Sequence, residues 1–454
     1  MNKSLFEEFE PVSAKKWKQN IQVDLKGADY NETLVWQSDE GIDVKPFYHA
    51  DNFEKLPENL GTKISKFKIC QTVFVDDPIV ANNIAVDAIS RGAEAIRFVI
   101  PSETISVKNL ISNINPEQTK LYFELQFLNP EYVFNIPVEH TFVLTDIIGK
   151  LSKTGNWFTN LKSDHQEFES IVKRNLQFSV NLTTYQNAGA NMVQQLAYGM
   201  AHVSEYLNYL DGKLSQEEKK KLVPIFKISV GTNYFFEIAK LRALRKLYNV
   251  IAEAFGCNTM CHILTFPTKR NKTIYEYNVN MLRTTTECMS AILGGSDTVN
   301  NLAYDAIYHK DNEFGQRIAR NQLLILKSES YFDKVDNPAD GAYYIETLTQ
   351  DLSEKALKLF KDIEANDGFL SQLKNGTIQR KIKESAAREK AKFDNGSLTL
   401  LGTNKYPNKQ DTIKNDLELY PFVKTNPVKT LIEPIIPKRL AEKHEKKRLE
   451  HETA

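Results

Sequence analysis

Between about residue 68 and residue 330 the chain alternates two kinds of segment, and this alternation constrains its fold more than any other feature. Short apolar or β-branched runs, ICQTVFV, AIRFVI, KLYFELQF, LQFSVNL, IFKISV and CHILTF, read as strands. Stretches with helical spacing lie between several of them. DDPIVANNIAVDAISRGAE opens with acids and with Pro78 near an N-cap, and sets Ile84, Ala85, Ala88 and Ile89 on one side. NAGANMVQQLAYGMAHVSEYLNYL and YFFEIAKLRALRKLYNVIAEAF are long and strongly apolar on one face. Such alternation implies an α/β fold, a parallel sheet wrapped by helices. The number of units fits an eight-fold barrel better than a small open sheet, although a doubly wound sheet shares the pattern.

Length and charge bound the function. A chain of 454 residues can bury a large core, and its formal net charge of zero leaves no overall footprint for nucleic acid or an anionic membrane. No uninterrupted apolar run is long enough to span a bilayer. The N-terminus MNKSLFEEFE is acidic and has no apolar core segment, so no signal peptide is expected and the location is read as cytoplasmic. Of the cysteines Cys70, Cys257, Cys261 and Cys288, only Cys257 and Cys261 are close, and no histidine array accompanies them. Buried thiols in a reducing compartment are the simple reading.

The flanks differ in character. Residues 1–65 read as an extended arm with Trp17 and Trp36 spaced through polar sequence, the pattern of a segment that lies across another surface. Residues 66–345 carry the barrel pattern, and residues 346–410 are helical, charged and alanine-containing. Residues 411–454 pass through Pro421, Pro427, Pro434 and Pro437 as an extended linker and end in the charged run KRLAEKHEKKRLEHETA, expected to be solvated.

One stretch is more specific, RIARNQLLILKSESYFDKVDNPADGAYYIE, Arg317 to Glu346. Its first part is an amphipathic helix in which Ile318, Leu324 and Ile325 share a face, with Arg317, Arg320 and Asn321 close by. On composition alone these arginines form a solvated or ion-paired face. The second part begins with the turn pairs Asn337-Pro338 and Asp340-Gly341. RIARNQ followed by N-P-x-x-G-x-Y-Y-x-E resembles the signature of the methylmalonyl-CoA mutase family. Four further words keep the family's order and spacing. They are L-x-W-x-x-x-x-G-I-x-V-K-P-x-Y from Leu34 to Tyr48, IAKLRALRKL from Ile238, NMLRTT from Asn280, and GTNKY from Gly402. The resemblance implies a (β/α)8 TIM-type barrel with an extended N-terminal arm and a helical C-terminal extension. Arg242 and Arg245 in the second of these words are expected in a packed, ion-paired helix.

The family's reaction moves a carbonyl-CoA group between neighbouring carbons by a radical route. Its members hold adenosylcobalamin, bind the CoA thioester along the barrel and shield the radicals from water. Three parts of that equipment are missing from this sequence. Cobalamin needs a flavodoxin-like domain with a cobalt-ligating histidine in D-x-H-x-x-G. The nearest stretch, SDHQEF from Ser163, departs from that spacing, so His165 reads as a surface histidine and the cobalamin domain as absent. Catalytic members place a Tyr-His pair before M-Q-E-A-G-A; here Thr183 and Thr184 take those positions and Asn187 replaces the glutamate. Threonine supplies neither an imidazole donor nor an aromatic wedge. The T-R-P-W run that enters the first strand is replaced by KFKICQTVFVDDP. The departures imply no catalytic, cofactor or metal residues on this chain. It would be the structural partner of a large subunit that binds adenosylcobalamin and interconverts methylmalonyl-CoA and succinyl-CoA in a heterodimer. Two other readings stay open: a catalytic acyl-CoA mutase barrel served by cobalamin on a separate chain, and a stand-alone barrel that binds a CoA ester without turnover.

Overall fold

The computed structural model describes residues 8–55, 57, 62–424 and 427–452. Eight parallel strands form one sheet: β1 Lys68–Phe74, β2 Ala95–Ile100, β3 Lys120–Leu125, β4 Thr141–Val143, β5 Gln177–Asn181, β6 Val223–Val230, β7 His262–Pro267 and β8 Thr298–Asn300. Their spatial order is β4-β3-β2-β1-β8-β7-β6-β5, so the two ends of the order are consecutive in sequence. The Ser179 N–H in β5 donates to the Thr145 carbonyl just beyond β4 at 2.9 Å, and the Gln177 side-chain amide donates to the Thr141 carbonyl at 3.0 Å. These bonds close the sheet into the expected barrel.

All six runs read as strands lie in the barrel. The two strands that pattern alone did not reveal, β4 and β8, are three residues each, and TVN carries a single apolar side chain. Between strands the helices follow their caps. Asp77 accepts from the Ile79 and Val80 amides ahead of the helix Pro78–Ser90, and Asn191 forms a capping box with Gln194 ahead of Met192–Leu210. The first of these helices buries Ala81, Ala85 and Ala88, while Ile84 is 44% exposed. Its small side chains face the sheet, about one position round from the stripe expected. Gly199 sets the closest approach of Met192–Leu210, since a Cβ there would lie 2.8 Å from a Leu182 methyl.

The stretch from Arg317 behaves likewise. Its helix, Glu313–Leu324, buries Ala319, Arg320 and Leu323; Ile318 and Leu324 are half-buried and Ile325 is exposed. Arg320 is neither solvated nor ion-paired: it is buried and donates to the Gln71 side-chain oxygen Oε1 at 2.5 Å. Arg242 and Arg245 meet the expectation. Arg242 pairs with Asp340 and with Glu346 (2.6 Å), and Arg245 with Asp297 (2.8 Å). Asp340 and Glu346 belong to the turn-and-helix word after Asn337, so two of the recurring words hold each other.

Both flanks pack on the barrel. In the arm, Trp17 stacks on Phe47 at 4.7 Å, Tyr48 on Tyr344 at 5.3 Å, and Trp36 meets Phe236 edge-on at 5.8 Å. The tail departs from the solvated linker expected of its prolines and charges. Ile432 and Ile435 join the main core, and the Ile432 and Ile435 amides donate to the Gly155 and Ser152 carbonyls. Within the charged run, Arg439 and Glu445 are buried and paired at 2.6 Å, and the other Glu445 oxygen accepts from the Ile274 amide at 2.9 Å. Three charges of the run, Arg439, Glu442 and Glu445, are buried because they pair with one another and with loop backbone, while its lysines stay exposed as expected.

Candidate functional site at the mouth of the barrel

The strands' alternation sends every second side chain down the barrel axis. Cys70, Ala95, Tyr122, Leu144, Ile225 and Leu264 form a single buried cluster, with Phe142 and Phe266 against it. At one level Tyr122 stacks on Phe142 at 4.8 Å, Phe142 stacks on the His262 ring at 4.7 Å, and the Tyr122 hydroxyl bonds His262 Nε2 at 2.8 Å. Burial pushes the His262 pKa down to about 4, so the ring is neutral at pH 7.

Towards the C-terminal ends of the strands the axis becomes charged. Glu124 of β3 pairs with Arg97 of β2 and, at 2.6 Å, with Lys227 of β6. Arg97 also donates to the Thr72 hydroxyl at 3.1 Å and covers the Phe266 ring at 4.7 Å. Burial would raise the Glu124 carboxyl, but Lys227 and Arg97 outweigh it and hold it far below the usual range; burial lowers Lys227. Sequence reading missed this triad. Its signal was a charged residue inside each of three apolar strand runs, AIRFVI, KLYFELQF and IFKISV.

Thr183, Thr184 and Asn187 sit together on one helical turn, Thr183–Asn187, directly after β5 at the mouth. Asn187 ties three loops: its amide donates to the Thr183 carbonyl (2.8 Å) and Ser229 hydroxyl (3.2 Å), and its oxygen accepts from the Lys269 amide (2.8 Å) and Thr268 hydroxyl (3.0 Å). Thr183 bonds back to the Asn181 side chain, and Thr184 is buried. Tyr185 turns away into the core, where its hydroxyl bonds His202 Nδ1 at 3.0 Å; His202 Nε2 lies 3.0 Å from Asp146. His165 is not at the surface as expected: it is buried against Trp157 and Tyr209, with Nδ1 2.7 Å from the Leu161 carbonyl.

Two openings flank this turn. One, about 360 Å³, is lined by Gln186, Gly231, Thr268 and Arg270, and the arm's Trp36 and Glu40 and the extension's Glu389 also line it. The tail crosses beside it. The Lys438 amide donates to the Asn187 carbonyl (3.0 Å), the Leu440 amide to the Arg270 carbonyl (2.9 Å), and Arg270 to the Lys438 carbonyl (2.8 Å) and Glu389 (2.6 Å). The other opening, about 290 Å³, lies over β3–β5 and is lined by Lys150, Lys153, Lys227 and Asn181. No histidine lines either opening, and no group of three metal-ligating side chains occurs among the described residues. No helix among them is long and apolar enough to cross a membrane.

The chain is similar to known proteins over most of its length. Residues 145–446 match the family model described as methylmalonyl-CoA mutase. The methylmalonyl-CoA mutase small subunit of Porphyromonas gingivalis is 30% identical over 448 residues, covering 89% of this chain and 71% of that protein. The mitochondrial methylmalonyl-CoA mutase of Bos taurus is 28% identical over 86% of this chain and 60% of its own length. The methylmalonyl-CoA mutase of Cereibacter sphaeroides is 36% identical over 50% of this chain, a third (33%) of its own length. With the barrel, its closing tail and these matches together, the chain belongs to the methylmalonyl-CoA mutase family.

Proposed function

We propose that this chain is the small, non-catalytic subunit of an adenosylcobalamin-dependent methylmalonyl-CoA mutase, paired in a heterodimer with a large subunit that holds the cofactor and performs the interconversion of methylmalonyl-CoA and succinyl-CoA. The observation that carries this reading is the filled axis. A thioester arm laid along the barrel would have to displace the Tyr122–Phe142–His262 stack and the Arg97–Glu124–Lys227 triad. Leaving those charges unpaired inside the barrel is costly.

The mouth supports the same reading. Thr183, Thr184 and Asn187 provide two hydroxyls and an amide, the Thr183 hydroxyl bound to the Asn181 side chain and the amide to loop backbone, and no group able to steer a radical or donate from an imidazole. No histidine lines either opening at the mouth, so none is placed to ligate the cofactor there. His202 and His262 are engaged in the core, His165 lies between aromatic rings, and His309 bonds Asp305. A catalytic barrel served by cobalamin from another chain would need both the open axis and the lost pair.

Co-expression with and without the large subunit tests the proposal. A one-to-one complex with adenosylcobalamin-dependent turnover is expected, beside an inactive chain alone. A folded chain that does not associate with the large subunit, or that turns over by itself, would overturn it.

A further inference from the structure

The opening over β3, β4 and β5 has a charge imbalance that the structural role does not explain. Lys150 and Lys153 stand three residues apart on the helix Ile147–Thr154 and both line it, as does Lys227. Neither Lys150 nor Lys153 has an ion-pair partner among the described residues; Lys150 lies over the Phe158 ring at 5.0 Å. The two carboxylates at the site are already engaged. Glu124 is shared by Arg97 and Lys227. Asp146 accepts from the Gly149 amide (2.6 Å), the Asn181 amide (2.7 Å) and the Tyr206 hydroxyl (2.7 Å), and lies 3.0 Å from His202. Three lysines (Lys150, Lys153, Lys227) thus line the opening beside two carboxylates whose oxygens are already bound, leaving one positive charge over. Thr145, Asn181 and Gln126 add neutral polar groups to the wall. The opening, about 290 Å³, lies at the strands' C-terminal ends, where barrels of this kind hold their ligands.

We propose that this opening binds a small oxyanion, a phosphomonoester or a dicarboxylate, through Lys150, Lys153 and Lys227. Flexible lysine ammonium groups suit an oxyanion bound as a point charge. Bound there, the anion relieves the repulsion among the lysines and sits beside the filled axis without entering it. The site is therefore compatible with a barrel that performs no chemistry.

Titration calorimetry on the full chain, at fixed ionic strength, with inorganic phosphate and separately with malonate, tests this. At least one anion is expected to saturate a single site per chain. Tighter phosphate assigns the phosphomonoester, tighter malonate the dicarboxylate. Lys153→Gln, at an exposed position, should weaken binding about tenfold, the loss of one charge-assisted contact. Lys150→Gln combined with Lys153→Gln should abolish saturation, while Lys162→Gln, an exposed lysine outside the opening, should change affinity less than about twofold. Should the double variant fail to fold, Lys153→Gln decides alone. Failure of both anions to saturate, or equal weakening by Lys162→Gln and Lys153→Gln, would overturn the proposal.

Discussion

Glu124→Ala removes the carboxylate that holds two cations at the top of the barrel. Arg97 keeps the Thr72 hydroxyl, but Lys227 has no other ion-pair partner among the described residues. The three side chains are 15%, 26% and 7% exposed for Arg97, Glu124 and Lys227, so water screens them only in part. Breaking a buried pair from one side costs about 3–5 kcal/mol, and the partial exposure of Glu124 argues for the lower end. For 454 residues the unfolding entropy is about 1 kcal/mol per kelvin, so a loss of about 3 kcal/mol lowers the melting temperature by about 3 °C. Circular dichroism melts of parent and variant read this directly. A second prediction comes from the same site. The Glu124 carboxyl is held far below its unfolded value, so its stabilisation is fully present above about pH 4.3 and is lost as the pH falls towards its folded value. The variant should lose that part of the acid limb. Replacing all three charges with Met, Leu and Met should cost little, because no charge is left unpaired. A Glu124→Ala protein that melts within about 1 °C of the parent would mean that the triad is solvated, and the closed-axis argument for a non-catalytic barrel would fall with it.

Two further outcomes follow from buried groups elsewhere. His262 titrates in the folded chain near pH 4, below its unfolded value of about 6.5, so the unfolded chain binds the extra proton between those values and stability falls with pH across that window, by at most about 3 kcal/mol. His262→Gln should flatten the melting temperature between pH 6.5 and 4; an unchanged slope would show that the ring is not what titrates. Arg439→Ala leaves the buried Glu445 carboxylate and the Lys272 and Pro421 carbonyls without their donor, a loss of about 3 kcal/mol that should release the tail. Trypsin should then cut after Lys438 much faster than in the parent, and equal cutting rates would show that the tail is held by other contacts.

The sequence was most legible where period and cap chemistry agree. ICQTVFV and IFKISV carry enough alternating apolar residues to be strands in any context, and Asp77 and Pro78 mark a helix start locally. β4 and β8 were invisible because three residues cannot show a period; the sheet recruits them through neighbours far away in sequence. Arg320, His165 and the tail were misread for one reason. Charge and polarity predict exposure only when no partner is available, and their partners (Gln71, the Tyr209 ring, Ile274 and Lys272) come from tertiary folding. Thr183, Thr184 and Asn187 were picked out by resemblance, not by chemistry, since the three residues are ordinary in isolation. The triad at the axis was in plain view as three charges in apolar strands, but each looks like a tolerated exception until the barrel brings them together.

The strap formed by the tail also orders events in time. The loops at the mouth take hydrogen bonds from residues made much later, across separations of 168 residues for Arg270 and Lys438 and 171 for Ile274 and Glu445. On the ribosome the strands and their helices emerge while the main core still lacks Ile432 and Ile435 and the loops lack their backbone partners. The nascent barrel therefore remains an open, incompletely packed intermediate until this segment arrives, the kind of species that exposes apolar surface and aggregates. Completion of the mouth waits for this segment, and its rate is set by closure of very long loops rather than by the local propensities that shape each strand and helix.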